Sequence, residues 1–157
     1  MKYFKYIFLA IILTSLGQAF IWTKGGDKVI IPPQISDKLE SVSYTPFKGF
    51  EKALKSNEEI AQDMQTIAKI ARKVRTYAMD DAKVVLANLG ETKLKVDVGL
   101  WLSTDKGANE AEIEALFDVI KFYHPKIASI IVGNEVLLRA DLTSEELITY
   151  IDRVSKR

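Results

Sequence analysis

From residue 39 onward, short apolar runs alternate four times with stretches that are apolar on one side only. The stretches space their apolar residues by three and four positions, which is typical of helices packed on a sheet. The short runs are rich in β-branched residues, which is typical of strands, and occupy residues 39–47, 73–79, 95–102 and 127–132. Alternating strands and helices predict right-handed βαβ units and a parallel sheet.

Two of the predicted helices begin with a capping box. Ser56 stands three residues before Glu59, and Thr143 three before Glu146, so each hydroxyl can accept a backbone N–H. The helices are expected to turn one apolar face to the sheet, formed in the first by Ile60, Met64, Ile67 and Ala71, and in the last by Leu147, Ile148, Ile151 and Val154. Glu112, in the helix predicted over residues 109–123, is expected to face water. The run at residues 127–132 is expected to be a strand buried on both faces.

Four βα units are half of a (β/α)₈ barrel, and a complete barrel needs roughly 250 residues. We therefore predict an α/β fold of the TIM-barrel type, present here as a half barrel of four βα units. A small open doubly wound sheet is the alternative. Two features disfavour it: no glycine-rich phosphate loop follows the first strand, and the strand ends carry aromatic and polar residues instead.

A hydrophobic segment precedes these units. Lys2 and Lys5 stand before an uncharged stretch at residues 6–22 that is either a cleaved signal peptide or an uncleaved membrane anchor. Both interpretations export the remainder, so we expect a periplasmic, cell-surface or secreted protein, with a membrane contact through residues 6–22 only if the segment is retained. Residues 23–38 contain paired glycines and paired prolines and are predicted to be a linker, which leaves 39–157 as the folded domain.

The composition excludes several classes of function. With 22 basic and 21 acidic residues the net charge is +1, which gives no electrostatic case for nucleic acid binding. The absence of cysteine excludes zinc fingers, thiol catalysis and a disulfide scaffold. The single histidine, His124, precedes Pro125 in a predicted turn and is assigned a structural role. No metal or organic cofactor is indicated.

Polar and aromatic residues stand at the ends of all four predicted strands. They are Tyr44, then Arg75 and Tyr77, then Trp101, then Asn134 and Glu135. In a barrel these side chains point at one mouth. Rings can stack on a sugar, Arg and Asn can hold hydroxyls, and a carboxylic acid can protonate the scissile oxygen. The alternatives are that each ring packs in the core and that Asn134 and Glu135 only cap a helix. Asp97 lies in mid-strand, where we favour a structural role.

Four segments resemble glycoside hydrolase family 17, the β-1,3-glucanase family of the (β/α)₈ clan A. They read VSYTPF, VRTYAM, VDVGLWL and IVGNEVLLR, in family order and with family-like gaps, across residues 42–157. The form SYTPF resembles the bacterial and fungal branch of the family rather than the plant enzymes. The chain thus resembles the N-terminal half of such a barrel.

The resemblance implies a role for each residue at the strand ends. Glu135 matches the general acid and base, and Asn134 the residue that binds the sugar 2-hydroxyl in the −1 subsite. Tyr44 and Tyr77 match tyrosines that line this subsite, and Arg75 matches an arginine that supports the charge of the nucleophile. Trp101 is a candidate wall of the cleft. The implied substrate is a β-1,3-glucan oligosaccharide or polysaccharide, hydrolysed or transferred with retention.

The family's nucleophile is a glutamate on the seventh strand, which has no counterpart here. Glu145, Glu146 and Asp152 belong to the last helix, so we expect the chain to be inactive alone. The missing half barrel could follow in a longer gene product, which we favour, or come from a separate chain or a second copy. Four strands should leave open edges and an exposed concave face of Val, Ile and Leu. The alternative functions are a membrane-tethered glucan-binding module without turnover and a decayed fragment.

Overall fold

The computed structural model describes residues 3–25, 37–49 and 53–157, without the side chains of residues 23–25. The chain divides into two units, Met1–Ile35 and Ser36–Arg157. Helix α1 (Phe4–Gly25) belongs to the first unit and extends beyond the expected end of the apolar segment. Its Phe4–Trp22 stretch is long and apolar enough to cross a membrane, a property that signal sequences share. Residues 26–36, most of the predicted linker, lie outside the described residues.

The second unit contains the alternating strands and helices that the sequence predicts. In chain order its elements are β1 (Leu39–Ser43), β2 (Phe47–Lys48), β3 (Ala53–Leu54), α2 (Asn57–Ile70), β4 (Ala71–Arg75), α3 (Met79–Ala87), β5 (Lys95–Leu100), α4 (Lys106–Tyr123), a 3₁₀ turn (His124–Lys126), β6 (Ile127–Val132) and α5 (Ser144–Lys156). Strands β1, β4, β5 and β6 form one four-stranded parallel sheet in that order. The predicted parallel sheet is confirmed, whereas the small antiparallel pair β2–β3 was not predicted.

One face of the sheet packs against the helices and forms the hydrophobic core. Val74, Val96 and Val98 are fully buried there, in one cluster with Ile60 and Met64 of α2. The same cluster includes Ile113 and Leu116 of α4, and Ile67 packs against it. The predicted inward face of α2 is therefore confirmed for Ile60, Met64 and Ile67, and α4 also turns an apolar face to the sheet. Burial of this face holds the strands together, because removing apolar surface from water is the main favourable term in folding.

Several boundaries differ from those expected. The strands β1 and β5 end at Ser43 and Leu100, before the predicted residues 47 and 102, and α4 begins at Lys106, before residue 109. Ala71 is the first residue of β4 and not the last apolar position of the helix, because the backbone becomes extended there without a glycine or proline to mark the change. Met79 begins α3 and does not end the second strand, since Asp80 and Asp81 lie in the first turn of that helix. Negative charge in a first turn is stabilised by the helix dipole.

The concave face of the sheet carries a polar cluster beside apolar residues, so the expected surface of Val, Ile and Leu is only partly correct. The carboxylate of Asp97 accepts hydrogen bonds from the hydroxyls of Ser41 (2.9 Å) and Ser129 (2.7 Å). Ser41 lies on β1, two strands away from Asp97 on β5, so the first bond crosses a curved sheet. By strand alternation Leu39 and Ile131 share this face with the cluster, whereas Val98 and Ile130 belong to the helix-covered core. The structural role assigned to Asp97 agrees with these bonds.

The two outer elements at the β6 edge are less buried than expected. Ala128 and Ser129 are exposed, because β6 is an edge strand of the described sheet and not a strand covered on both faces. In α5, Leu147 and Val154 pack against the core, but Ile148 and Ile151 are 58% and 42% exposed. The predicted inward face of α5 is therefore half correct.

Both capping boxes are present. Ser56 Oγ accepts the N–H of Glu59 at 3.3 Å, and the Glu59 carboxylate accepts the N–H of Ser56 at 2.9 Å. The same reciprocal bonds join Thr143 and Glu146 at the start of α5. We expect Ser56→Ala to lower the free energy of unfolding by about 1 kcal/mol, because a first-turn N–H loses its acceptor. Urea unfolding of the full chain in mild detergent measures this change. Ser144→Ala, which leaves the capping hydroxyl of Thr143 in place, is the matched control and should have little effect; equal losses would contradict the assignment.

Candidate active site

Backbone hydrogen bonds align the carboxyl ends of the four parallel strands at one edge. Tyr44 N–H donates to Arg75 O (2.9 Å), Thr76 N–H to Asp97 O (3.1 Å), and Gly133 N–H to Leu100 O (3.1 Å). Each bond joins the residue at a strand end to the neighbouring strand in the order β1, β4, β5, β6. The residues that follow these strand ends therefore share the rim where parallel barrels place their chemistry.

Arg75 brings three of the expected site residues together. Its Nη2 donates to Asn134 Oδ1 at 2.9 Å, and its guanidinium carbon lies 5.2 Å from the centre of the Tyr77 ring. The Nε–H of Arg75 is buried and has no hydrogen-bond partner among the described residues. An unsatisfied buried donor costs about 1–3 kcal/mol, so a group that accepts from Nε would stabilise this arrangement.

Glu135 lies next to Asn134 in a tight turn after β6. Gly133 has φ 79° and Glu135 has φ 53°, which places both in the left-handed region. A residue with a side chain pays about 1–2 kcal/mol in that region, so the surrounding contacts hold Glu135 in a strained conformation. The side chain is exposed, and no described residue forms a hydrogen bond or an ion pair with its carboxylate.

Trp101 stands at the end of β5 with its side chain 41% exposed. The guanidinium carbon of Arg139 lies 4.3 Å from the centre of its ring. Its backbone N–H donates to the carboxylate of Glu112 on α4 at 2.9 Å. The backbone of Trp101 is therefore held by α4, and its ring is contacted by the loop after β6.

Glu112 is half-buried, which corrects the expectation that it faces water. Its carboxylate accepts the N–H of Met79 (3.1 Å) as well as that of Trp101 (2.9 Å), so it joins the start of α3 to the end of β5. Burial raises the pKa of Glu112, and the two backbone hydrogen bonds act in the opposite direction. The sequence does not predict this role, because both partners of the carboxylate are backbone groups on other elements.

Tyr44 is directed away from this group of residues. Its ring packs against the core, and its hydroxyl donates to Asp63 on α2 at 2.8 Å. Asp63 also accepts from Lys55 (2.7 Å), whose Nζ lies 5.2 Å from the Tyr44 ring centre. Burial and, after it, the bond to Asp63 raise the pKa of Tyr44. The structure thus brings together Arg75, Tyr77 and Asn134, with Glu135 adjacent, and gives the Tyr44 hydroxyl a different partner.

Comparisons with known proteins agree with this architecture. Residues 41–157 match the family model described as the BtgE/BtgC glycoside hydrolase domain. The glucan endo-1,3-beta-glucosidase btgC of Emericella nidulans is 28% identical over an alignment of 130 residues that covers 73% of this chain and 20% of that protein. The glucan 1,3-beta-glucosidase BGL2 of Candida albicans is 27% identical over an alignment of 132 residues that covers 74% of this chain and 41% of that protein.

Two solved structures share the fold. The glycoside hydrolase family 17 β-1,3-glucanosyltransferase of Rhizomucor miehei superposes with a TM-score of 0.65 at 22% identity, covering 75% of this chain and 44% of that one. An endo-laminarinase from Formosa has a TM-score of 0.64 at 19% identity, covering 75% of this chain and 37% of that one. The chain spans less than half the length of each of these four relatives. The described sheet is therefore part of a (β/α)₈ barrel, as predicted, and the chain belongs to the BtgE/BtgC family of glycoside hydrolase domains, the N-terminal part of a family 17 β-1,3-glucanase-like fold.

Proposed function

We propose that this chain is the acid/base half of an exported, retaining β-1,3-glucan hydrolase or transglucosylase. The observation that carries the proposal is the pair formed by Asn134 and Glu135 at the carboxyl edge of the sheet. The amide is held by Arg75 at 2.9 Å, while the neighbouring carboxylate is exposed. A fixed amide can hold a sugar hydroxyl beside an accessible carboxylic acid, which would be one of the two carboxyl groups that glycosidic cleavage requires.

In this proposal Glu135 protonates the glycosidic oxygen and then takes a proton from the acceptor. Asn134 binds the sugar 2-hydroxyl through Nδ2, because its Oδ1 already accepts from Arg75. A retaining reaction needs a second carboxylate about 5–5.5 Å from the first. We assign that nucleophile to a complementing C-terminal half barrel. The unpaired Nε–H of Arg75 is a donor suited to a carboxylate arriving from that side.

The proposal assigns different contributions to substrate binding to Trp101, Tyr77 and Tyr44. Tyr77 lies against Arg75, which holds the Asn134 amide, and Trp101 is exposed enough to stack on a glucose unit. The hydroxyl of Tyr44 would have to exchange Asp63 for a sugar to bind in the −1 subsite. We therefore assign Tyr44 the weakest contribution of the three.

The apolar helix α1 supports export in this proposal, either as a signal peptide or as an anchor that keeps the domain at the membrane surface. Residues 26–36 would then connect it to the catalytic half. Mass measurement of the mature N-terminus distinguishes the two: loss of about the first 20 residues is expected for a signal peptide.

The full chain is expected to bind laminaritriose but to release no reducing sugar from laminarin, because it supplies only one of the two carboxylates. Calorimetry measures binding, and a reducing-sugar assay measures turnover. Adding the separately produced C-terminal half of the Rhizomucor miehei enzyme should make cleavage appear. Binding that persists without cleavage in the mixture, and that Glu135→Gln leaves unchanged, would instead favour a glucan-binding module. Absence of binding would contradict both functions.

A further inference from the structure

The side chain of Arg139 joins the loop that carries Glu135 to the end of β5. Its Nη2 donates to Leu102 O at 2.8 Å, and its Nη1 donates to Asn134 O. The remaining nitrogen, Nε, donates to the Asp141 carboxylate at 2.7 Å. All three guanidinium nitrogens are thus engaged, two of them with backbone carbonyls on different segments of the rim.

The same residue also contacts Trp101 and Glu135. Its guanidinium carbon lies 4.3 Å from the centre of the Trp101 ring, and its backbone N–H donates to Glu135 O at 2.9 Å. The loop after β6 contains two non-glycine residues in the left-handed region, Glu135 (φ 53°) and Ala140 (φ 56°). A loop with that backbone conformation keeps its shape only when surrounding contacts determine it. Arg139, which lies directly before Ala140, supplies such contacts.

We propose that Arg139 is a positioning residue that fixes the Glu135 turn and the Trp101 ring relative to each other. Its guanidinium makes no hydrogen bond or ion pair with the carboxylate of Glu135. Its planar group makes bonds in three directions and at the same time stacks on a ring, which lysine cannot reproduce. The consequence for sugars rests on the proposed function: stacking on Trp101 would hold the glucose unit at a fixed distance from the acid.

The test compares Arg139→Lys with Arg157→Lys in the full chain. Arg157, at the end of α5, is a matched control. Its guanidinium also lies over a ring, that of Phe117 at 4.2 Å, and also pairs with a carboxylate, that of Glu114. Both of these partners belong to α4. NMR signals of the Glu135 amide and the Trp101 indole N–H report positioning without any ligand. We expect Arg139→Lys to shift or broaden both signals and Arg157→Lys to leave both in place.

Function supplies a second readout once cleavage is obtained with a C-terminal half. A misplacement near 1 Å can cost about 10²-fold in rate, so Arg139→Lys is expected to lower kcat by about 10- to 100-fold with a smaller change in KM. A loss confined to KM would overturn the positioning role. If wild-type chain neither binds laminaritriose nor cleaves, the proposed function fails, while the NMR comparison still decides the role of Arg139.

Unchanged Glu135 and Trp101 signals in Arg139→Lys would overturn the proposal. If Arg139→Lys unfolds, Asp141→Asn is tested in its place, since this variant removes only the charge that orients the Nε of Arg139. We expect Asp141→Asn to move the same two signals by a smaller amount. If neither signal moves in that variant, the proposal is also overturned.

Discussion

Replacing Glu135 with glutamine or alanine is expected to reduce glucan cleavage by about two to four orders of magnitude in a preparation that contains a complementing C-terminal half. The side chain at this position is exposed at the carboxyl rim, next to an amide that Arg75 holds in place. Without an acid at position 135, the glycosidic oxygen departs unprotonated, and no general base takes the proton from the acceptor in the second step. The loss should therefore fall on kcat more than on KM.

The measurement is kcat and KM on laminarin, with Glu145→Gln as the control. Glu145 lies in the first turn of α5 and is also exposed, so it loses the same charge away from the proposed site. We expect that control to retain nearly full activity. Retained activity in Glu135→Gln would remove this residue from the mechanism, and an equal loss in both variants would indicate a nonspecific effect of charge.

The order of elements was predictable because it depends on local signals. Apolar periodicity located the four strands and the packed helices, and the sequences SNEE and TSEE marked two helix starts that the structure confirms. Gly133, at φ 79°, ends β6 at the predicted place, because few residues other than glycine adopt that conformation. Such signals act within a few residues and need no knowledge of the tertiary fold.

The errors arose where the outcome depends on distant contacts. The exposure of Glu112 depends on which strand ends α4 crosses, and helix periodicity does not contain that information. The polar cluster on the concave face depends on strand register, which places Ser41 and Ser129 on either side of Asp97. Alternation in each strand predicts two faces, but only pairing between strands decides which side chains meet.

The resemblance named the candidate site residues, but it did not specify the contacts among them. The resemblance pointed to Arg75, Asn134 and Glu135, and the structure places the first two in direct contact. The partner of the Tyr44 hydroxyl, Asp63, was not foreseen, because an isolated aspartate on a helix has no distinctive pattern. The contacts of Arg139 were likewise not predictable from the motif that it ends, since they reach two separate loops.

The rim also depends on Gly99 in β5, and Gly99→Ala is expected to destabilise the domain by about 1–3 kcal/mol, the usual cost of overpacking a core. A Cβ at this position would lie 2.4 Å from Thr76 O and 2.8 Å from Tyr77 Cα. Both atoms belong to the backbone, so they cannot rotate aside as a side chain would. The Gly99 N–H also lies 3.3 Å from Thr76 Oγ1, and a shift of β5 would lengthen that bond.

Tyr77 directly follows Thr76 in the chain, so Gly99→Ala should also move the Tyr77 ring relative to Arg75. Laminaritriose binding should therefore weaken. Urea unfolding measures the stability, and calorimetry measures the binding. Gly90→Ala is the control: Gly90 has φ 53° with no atom near its added Cβ, so the variant should lose about 1 kcal/mol of stability through backbone strain alone. Its laminaritriose binding should stay at the wild-type level. A Gly99→Ala variant with wild-type stability and binding would mean that the Thr76–Tyr77 backbone relaxes freely, and the rim could then not depend on the close approach of β5 to the end of β4.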